Sequence, residues 1–386
     1  MGLAVHIPAE TPTHRGIVLH VSNTSFDPLA DKLFLYEIFY VLNPYFLIMT
    51  LLFLLCQIDP SSCHVIFMLG FGCSLAFVSL HRESCDLADL YFSVFRYLRL
   101  VVNLISHWTF RPIAIPKQPT YGAQDVSVII PTIDGDGEGL RRTIQTCLAT
   151  DPFEVIIVTL DSSFKTAVRM AAEISSKKIR ILTVAKANKR RQMCRAIPEV
   201  QTKITILADD DVIWPTTLLP WILAPFEDVG TGGVGTSQRL IRSKNPSIWQ
   251  FLGALYLERR NFDCSACLHI DGGLPCLSGR TAAYRTKILQ DADFTFSFTN
   301  ETWRSHQLNA DDDNFVTRWM YNHGWRIAMQ YHKAAEVQTT LEDGPKYLKQ
   351  CLRWVRSNWR SNLTSMFVER HYWWYAILIF LTVEYR

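Results

Sequence analysis

The sequence lacks any strong excess of charge: 39 Lys and Arg stand against 36 Asp and Glu, a formal net of +3 over 386 residues. That balance leaves no electrostatic footprint for nucleic acid, and the basic residues cluster only locally. No Gly-x-Gly-x-x-Gly or Walker sequence follows the first predicted strand, so any bound nucleotide would have to be held by carboxylates, a metal and basic side chains. A disulfide framework is also missing. The 10 cysteines are scattered, with Cys56 and Cys73 inside apolar runs and Cys147, Cys194 and Cys351 inside predicted helices, a pattern of reduced thiols facing the cytosol. Cys264-Ser-Ala-Cys267, with His269 and Cys276 nearby, has ligands for zinc but lacks the second pair at knuckle spacing. Residues 1–30 have no basic start followed by an apolar core, so they read as a flexible tail and not as a signal peptide.

What is abundant is apolar surface, 48% of residues, enough for a core and for membrane segments besides. Residues 33–56 are almost wholly apolar, and residues 61–80 carry no charge. Each approaches the roughly 20 residues that cross a bilayer. The polar turn between them, and His81-Arg82 after them, predict a transmembrane hairpin over 31–82 with both ends in the cytosol. Glu37 within the first run leaves a soluble helical hairpin as the alternative. Residues 83–120 read as an interfacial or packing helix, with Arg96 and Arg99 among aromatics, followed by the Pro-bounded linker Arg111–Pro119. At the other end, 372–386 reads as the start of a further span, too short to cross and apparently truncated.

Between these lies an α/β domain, residues 121–345. Short β-branched runs at 126–130, 155–160, 179–184 and 204–207 alternate with helical stretches at 140–149, 166–174 and 189–195, which predicts a mostly parallel sheet. Ligands of such sheets bind beyond the strands' carboxyl ends. Acids arrive there: Asp161 after the second strand, and Asp209-Asp210-Asp211 after the fourth. Three adjacent carboxylates repel one another, and a divalent cation is the usual remedy; a solvated turn or a helix cap is the plain alternative. Downstream come Leu277-Ser-Gly-Arg280, a second acidic run Asp311-Asp312-Asp313 opening a helix, and Gln350-Cys-Leu-Arg353-Trp354 on an Arg- and Trp-rich helix spanning part of 346–371.

In this order the motifs resemble the family 2 glycosyltransferases, and look closest to the processive membrane polysaccharide synthases: hyaluronan, cellulose and chitin synthases and their fungal relatives. The resemblance covers about residues 125–380 and implies a GT-A-like, Rossmann-like domain attached to transmembrane helices, with the catalytic domain facing the cytosol. It implies an inverting transfer from a UDP-sugar to a growing polysaccharide, or in a non-processive relative to a glycolipid acceptor. Asp209 and Asp211 would hold Mg²⁺ or Mn²⁺ against the diphosphate. Lys189 and Arg190 would add charge-assisted hydrogen bonds to the donor, and Thr132 and Asp161 would meet uracil and ribose. Where the family carries an aromatic after Pro131-Thr132, this chain has Ile133. Asp312 would be the general base, with Asp311 as a neighbour whose like charge raises a pKa in the pair; a helix cap formed by Asp311 or Asp313 is the alternative. Ser278, Gly279 and Arg280 would line the acceptor pocket, Trp354 would stack on the acceptor sugar, and Gln350 and Arg353 would lie near the diphosphate. Expected partners are thus a UDP-sugar, a polysaccharide or glycolipid acceptor and membrane lipid, with no nucleic acid and with room for self-association. A truncated, inactive partner that only binds nucleotide sugar is the reading from a different class.

Overall fold

The structure, a computed structural model, describes residues 100–174 and 177–370. The tail, the predicted hairpin 31–82, the first part of the predicted interfacial helix and the apolar run 372–383 lie outside the described residues. Among the described residues no helix is long and apolar enough to cross a membrane.

The first half alternates as the sequence predicts: β1 (Val126–Pro131), α1 (Glu138–Leu148), β2 (Glu154–Leu160), α2 (Phe164–Ile174), β3 (Ile179–Val184), α3 (Lys189–Ala196) and β4 (Ile204–Ala208). The second half is less regular: β5 (Val212–Ile213), α4 (Leu218–Leu223), β6 (Thr231–Thr236), β7 (Gln238–Leu240), α5 (Ile248–Asp271), β8 (Thr281–Arg285), α6 (Thr286–Leu289), α7 (Ala292–Asn300), β9 (Thr302–Trp303), β10 (His306–Gln307), α8 (Asp312–Asn322), β11 (Arg326–Gln330), β12 (Val337–Thr339) and α9 (Lys346–Leu363).

Seven strands form one sheet in the order β11-β6-β8-β4-β1-β2-β3. All neighbouring pairs are parallel except those of β8, which runs antiparallel to both β4 and β6. Successive side chains of a strand point to opposite faces, and here both faces are covered. Val126, Val128 and Ile130 of β1, with Val155 and Ile157 of β2, enter one core beneath α1 and α4. Ile129, Ile156 and Val158 enter the other, shared with α3, α7 and α8. That double burial is why the strands read as unbroken apolar runs. The product is a three-layer α/β unit whose parallel strands deliver their carboxyl ends to one edge.

β8 reverses this logic. Because Ala208 of β4 pairs with Thr281, the amino end of β8 lies at the same edge as the carboxyl ends of its neighbours. Ser278-Gly279-Arg280 therefore enters the site from α5, a helix capped by the Ser247 hydroxyl, which accepts the Gln250 amide at 3.2 Å, and ended at Gly272 in the left-handed region (φ 77°). Residues 100–109 are helical and pack on α5, where the Ser106 hydroxyl donates to the Ala266 carbonyl at 2.7 Å. The linker after it lies in place through Gln330, whose amide bonds both the N–H and the carbonyl of Ile113 at 2.9 and 2.8 Å.

Candidate active site

The acidic turn after β4 starts where the sequence puts it. The Asp209 amide donates to the Arg280 carbonyl at 3.1 Å, which stitches the turn to the segment before β8. Asn188 caps α3 by accepting the Arg191 amide at 3.1 Å, and this fixes Lys189 in the first helical turn. A cation there opposes the helix dipole, and two carboxylates compensate it: the Lys189 Nζ lies 2.7 Å from Asp209 Oδ1 and 2.9 Å from Asp312 Oδ2. Burial works against the Lys189 ammonium, but Asp209 and Asp312 outweigh it and push its pKa above the usual lysine value. One side chain thus joins the two acidic runs, which are about a hundred residues apart in sequence.

Gly279 closes this cluster. A Cβ built there would meet Asp312 Oδ2 and Lys189 Nζ at 3.3 Å each, so a side chain would press on the pair. Burial raises the Asp312 pKa; Lys189 pulls it back, and the like charges of Asp313 and Asp209 add to the rise. The acid beside Asp312 whose charge adds to the rise is thus Asp313, whereas Asp311, the neighbour that the resemblance implies, pairs with Arg360. Asp313 faces burial too, but Arg260, Lys189 and hydrogen bonds from Cys276 and the Asn314 amide hold it below the usual carboxylate range.

On the donor side, Asp211 accepts the Thr340 hydroxyl at 2.7 Å and Asp210 accepts that of Thr132 at 2.5 Å. Burial raises both carboxyls, and the charge on Asp209 raises each further. This is a set of desolvated oxygen donors short of positive charge, with neither thiolate nor imidazole among them. Such a set fits a hard divalent cation. Asp209 and Asp211 are the residues that would hold it. No group of three His, Cys, Asp or Glu side chains is already gathered around a metal position among the described residues. Cys264, Cys267 and Cys276 are buried.

Several expected site residues are used otherwise. Thr132 is 3% exposed and gives its hydroxyl to Asp210, so it orients the acidic turn instead of meeting a nucleotide. Arg190 is 1% exposed; its guanidinium donates to the carbonyls of Phe298, Ala310 and Asp311 at 2.7–3.1 Å and pairs with Glu301 at 2.7 Å. It is an internal strut and not a donor ligand, because a buried cation must spend its donors locally. Asp311 turns to Arg360 of α9. The Gln350 side-chain oxygen accepts the Glu342 amide at 3.2 Å, a local bond that ties the start of α9 to the preceding loop.

Asp161 is exposed at the carboxyl end of β2, and the Ser163 hydroxyl donates to the Ile133 carbonyl at 3.4 Å, so Asp161 and the 65% exposed Ile133 border the same rim. Trp354 stacks on Tyr256 of α5 (5.0 Å, 16°), and the Arg280 guanidinium lies 5.3 Å from its ring centre while donating to Gln238 at 2.8 Å. Arg353, one residue earlier, is exposed. Ser278 accepts the Arg280 amide at 3.4 Å. Sequence reasoning missed Arg260 and Arg360, the counterions of Asp313 and Asp311; nothing local marks them.

Over residues 123–357 the sequence matches the family described as "Glycosyltransferase like family 2". A "Type 2 glycosyltransferase" of Zymoseptoria tritici is 70% identical over 281 residues, which cover 73% of this chain and 60% of that protein. An "NDP-glycosyltransferase ltbB" of Aspergillus luteorubrus is 31% identical over 283 residues, 70% of this chain and 68% of the relative. Among solved structures, the mannosyltransferase PcManGT from Pyrobaculum calidifontis, in complex with GDP-Man and Mn²⁺, aligns with a TM-score of 0.49 at 15% identity, covering 70% of this chain and 74% of the other. The chain spans 54–60% of the length of three fungal "Type 2 glycosyltransferase" relatives. With its mostly parallel, GT-A-like α/β domain and this match over well more than half its length, the chain belongs to glycosyltransferase family 2.

Proposed function

We propose that this chain transfers a sugar from a UDP-sugar to an acceptor hydroxyl with inversion at the anomeric carbon, and that the acceptor is a polysaccharide growing at a membrane. The observation that carries the reading is the Lys189 bridge, which brings the donor-side carboxylate Asp209 and the acceptor-side carboxylate Asp312 to one ammonium at 2.7 and 2.9 Å. An alcohol is a poor nucleophile and needs a base within hydrogen-bond reach as it attacks. Asp312 takes the acceptor proton while the new oxygen–carbon bond forms, and the bond to the diphosphate breaks on the opposite face. The electron pair leaves with UDP, so no covalent enzyme intermediate forms. Lys189 stays between the two sites and meets the negative charge that develops on the departing diphosphate. A divalent cation held by Asp209 and Asp211 would supply further neutralisation of that diphosphate. Trp354, stacked on Tyr256 with Arg280 over its ring, would line the acceptor side. The scatter of the cysteines along the sequence supports a catalytic domain facing the cytosol.

The test is UDP release by membranes containing the full chain, with a panel of UDP-sugars and either Mn²⁺ or Mg²⁺, beside Asp312→Asn. The expected result is release with one donor, lost in the variant, and sugar recovered in polymer. Sugar recovered only on lipid replaces the polysaccharide acceptor with a glycolipid. Absence of UDP binding overturns the reading.

A further inference from the structure

We infer that Asp311 is a positioning residue: pinned in a left-handed backbone conformation by Arg190 and Arg360, it sets the aim of Asp312 and ties that aim to the seating of α9. The inference rests on the reading of Asp312 as the base.

Asp311 occupies the position before α8 with φ 64° and ψ 37°. An L-residue with a Cβ adopts that region at a cost and keeps it only where its surroundings over-determine it. An aspartate at this position ordinarily accepts an amide of the first helical turn, yet Asp311 makes no such bond. Its carboxylate, 9% exposed with the rest of the residue, pairs instead with Arg360 of α9. From the other side Arg190 holds the backbone, donating to the Ala310 carbonyl at 2.7 and 3.1 Å and to the Asp311 carbonyl at 3.0 Å. The side chain is anchored to one helix and the carbonyls to another, and the turn between them is the strained one.

The next residue is Asp312, with its carboxylate on Lys189. Release of Asp311 into the right-handed or extended region would rotate the first peptide of α8 and swing that carboxylate away. The anchors are themselves braced. Glu301 pairs with both Arg190 and Arg318, and Arg318 also reaches Ser361 at 2.6 Å on the same helix as Arg360. Asn314 donates to Asn358 at 3.3 Å, one helical turn away. Trp354 lies on this helix as well, so the side chain proposed to line the acceptor side and the seat of the base are parts of one braced body.

The experiment compares Asp311→Ala, Asp311→Gly, Arg360→Ala and the double variant Asp311→Gly/Arg360→Ala in membranes containing the full chain. It reads kcat and donor KM from UDP release, and UDP binding separately. Misplacing a catalytic group by about 1 Å costs about 100-fold. Asp311→Ala, strained and unanchored, is therefore expected to lose about 10- to 100-fold in kcat, with donor KM and UDP binding within about twofold of the native chain. Glycine adopts the left-handed region freely, so Asp311→Gly is expected to recover to within about threefold of native. Arg360→Ala is expected to lose about 10-fold, and the double variant no more than Asp311→Gly.

Asp311→Gly as inactive as Asp311→Ala would overturn the inference and make the carboxylate itself essential. An unchanged kcat in Arg360→Ala would overturn it equally, and that partly exposed side chain carries the test if Asp311→Ala fails to accumulate. Asp312→Asn with native kcat would instead remove the base reading on which the inference stands, an outcome separate from either of these.

Discussion

The molecule carries Asp-Asp-Asp twice, and the two runs solve the same electrostatic problem in opposite ways. In 311–313 Asp311 pairs with Arg360 and Asp312 with Lys189, while the charges of Arg260 and Lys189 hold Asp313 below the usual carboxylate range. In 209–211 only Asp209 touches a cation, and it shares Lys189 with Asp312; Asp210 and Asp211 have hydroxyl partners. Hydroxyls donate a bond but no charge, so burial and mutual repulsion leave Asp210 and Asp211 with raised pKa values. The comparison separates a cluster that is neutralised by the fold from one that leaves room for a ligand to neutralise it. Identical tripeptides thus take different chemistry from what the tertiary structure brings to them.

The largest effect that would break this contrast is on turnover. Asp312→Asn should cost about 10²- to 10⁴-fold in kcat, whereas Asp210→Asn, which keeps an acceptor for Thr132, should cost less than about 10-fold. UDP release read side by side checks both, and equal losses would erase the distinction between the members of the runs. Next comes metal response. Asp211→Asn should raise the Mn²⁺ or Mg²⁺ concentration for half-maximal activity by about 10- to 100-fold, while Asp313→Asn should leave it in place. A metal titration of both variants decides, and a shift in the Asp313 variant would move the metal to the other run.

The smallest effect is on stability, and its sign differs between Asp211 and Asp313. A carboxyl raised in the folded state contributes stability only below its ordinary value near 3.8 and loses it as pH rises through the raised value. At pH 7 Asp211 is thus a net burden, and Asp211→Asn should raise Tm slightly. A depressed carboxyl contributes stability above its ordinary value and loses it as pH falls through the lowered one. Asp313→Asn should therefore destabilise by about 1–3 kcal/mol at pH 7, removing the charge that faces Arg260, and the difference should fade only as pH falls below 3.8 and through the lowered value. Thermal melts at pH 7 and at about pH 3 measure both signs.

How far the sequence reveals this depends on the range of the interaction. Asp209, Lys189 and Asp312 are legible because each sits at a strand end or a helix start, where local pattern and order along the chain agree. β1 to β4 are legible for the same reason, as unbroken apolar runs between helices. β6 is not: Thr231-Gly-Gly-Val-Gly-Thr236 carries no apolar pattern, since its faces are filled by side chains from elsewhere, and a Cβ at Gly235 would lie 2.5 Å from the Leu277 side chain. Arg190 misleads by adjacency to Lys189. Successive residues of a helix point about 100° apart, so the second basic residue of the pair faces the interior while the first faces the site. Arg260 and Arg360 are invisible locally, because their carboxylates lie some fifty residues away and only the packing of α5 and α9 brings them together.

The reversed direction of β8 has a consequence for how this chain tolerates changes of length. Parallel strands lead into the site, and the loops that leave them can lengthen without moving the strand ends. The segment 272–280 instead connects the end of α5 to the start of β8, and it passes Gly279 beside Lys189 and Asp312 on the way. One residue added there shifts the register of what faces the bridge, whereas residues added between β7 and α5, at 241–247, leave that register alone. Length variation in this domain is thus confined by the one strand that runs against the rest.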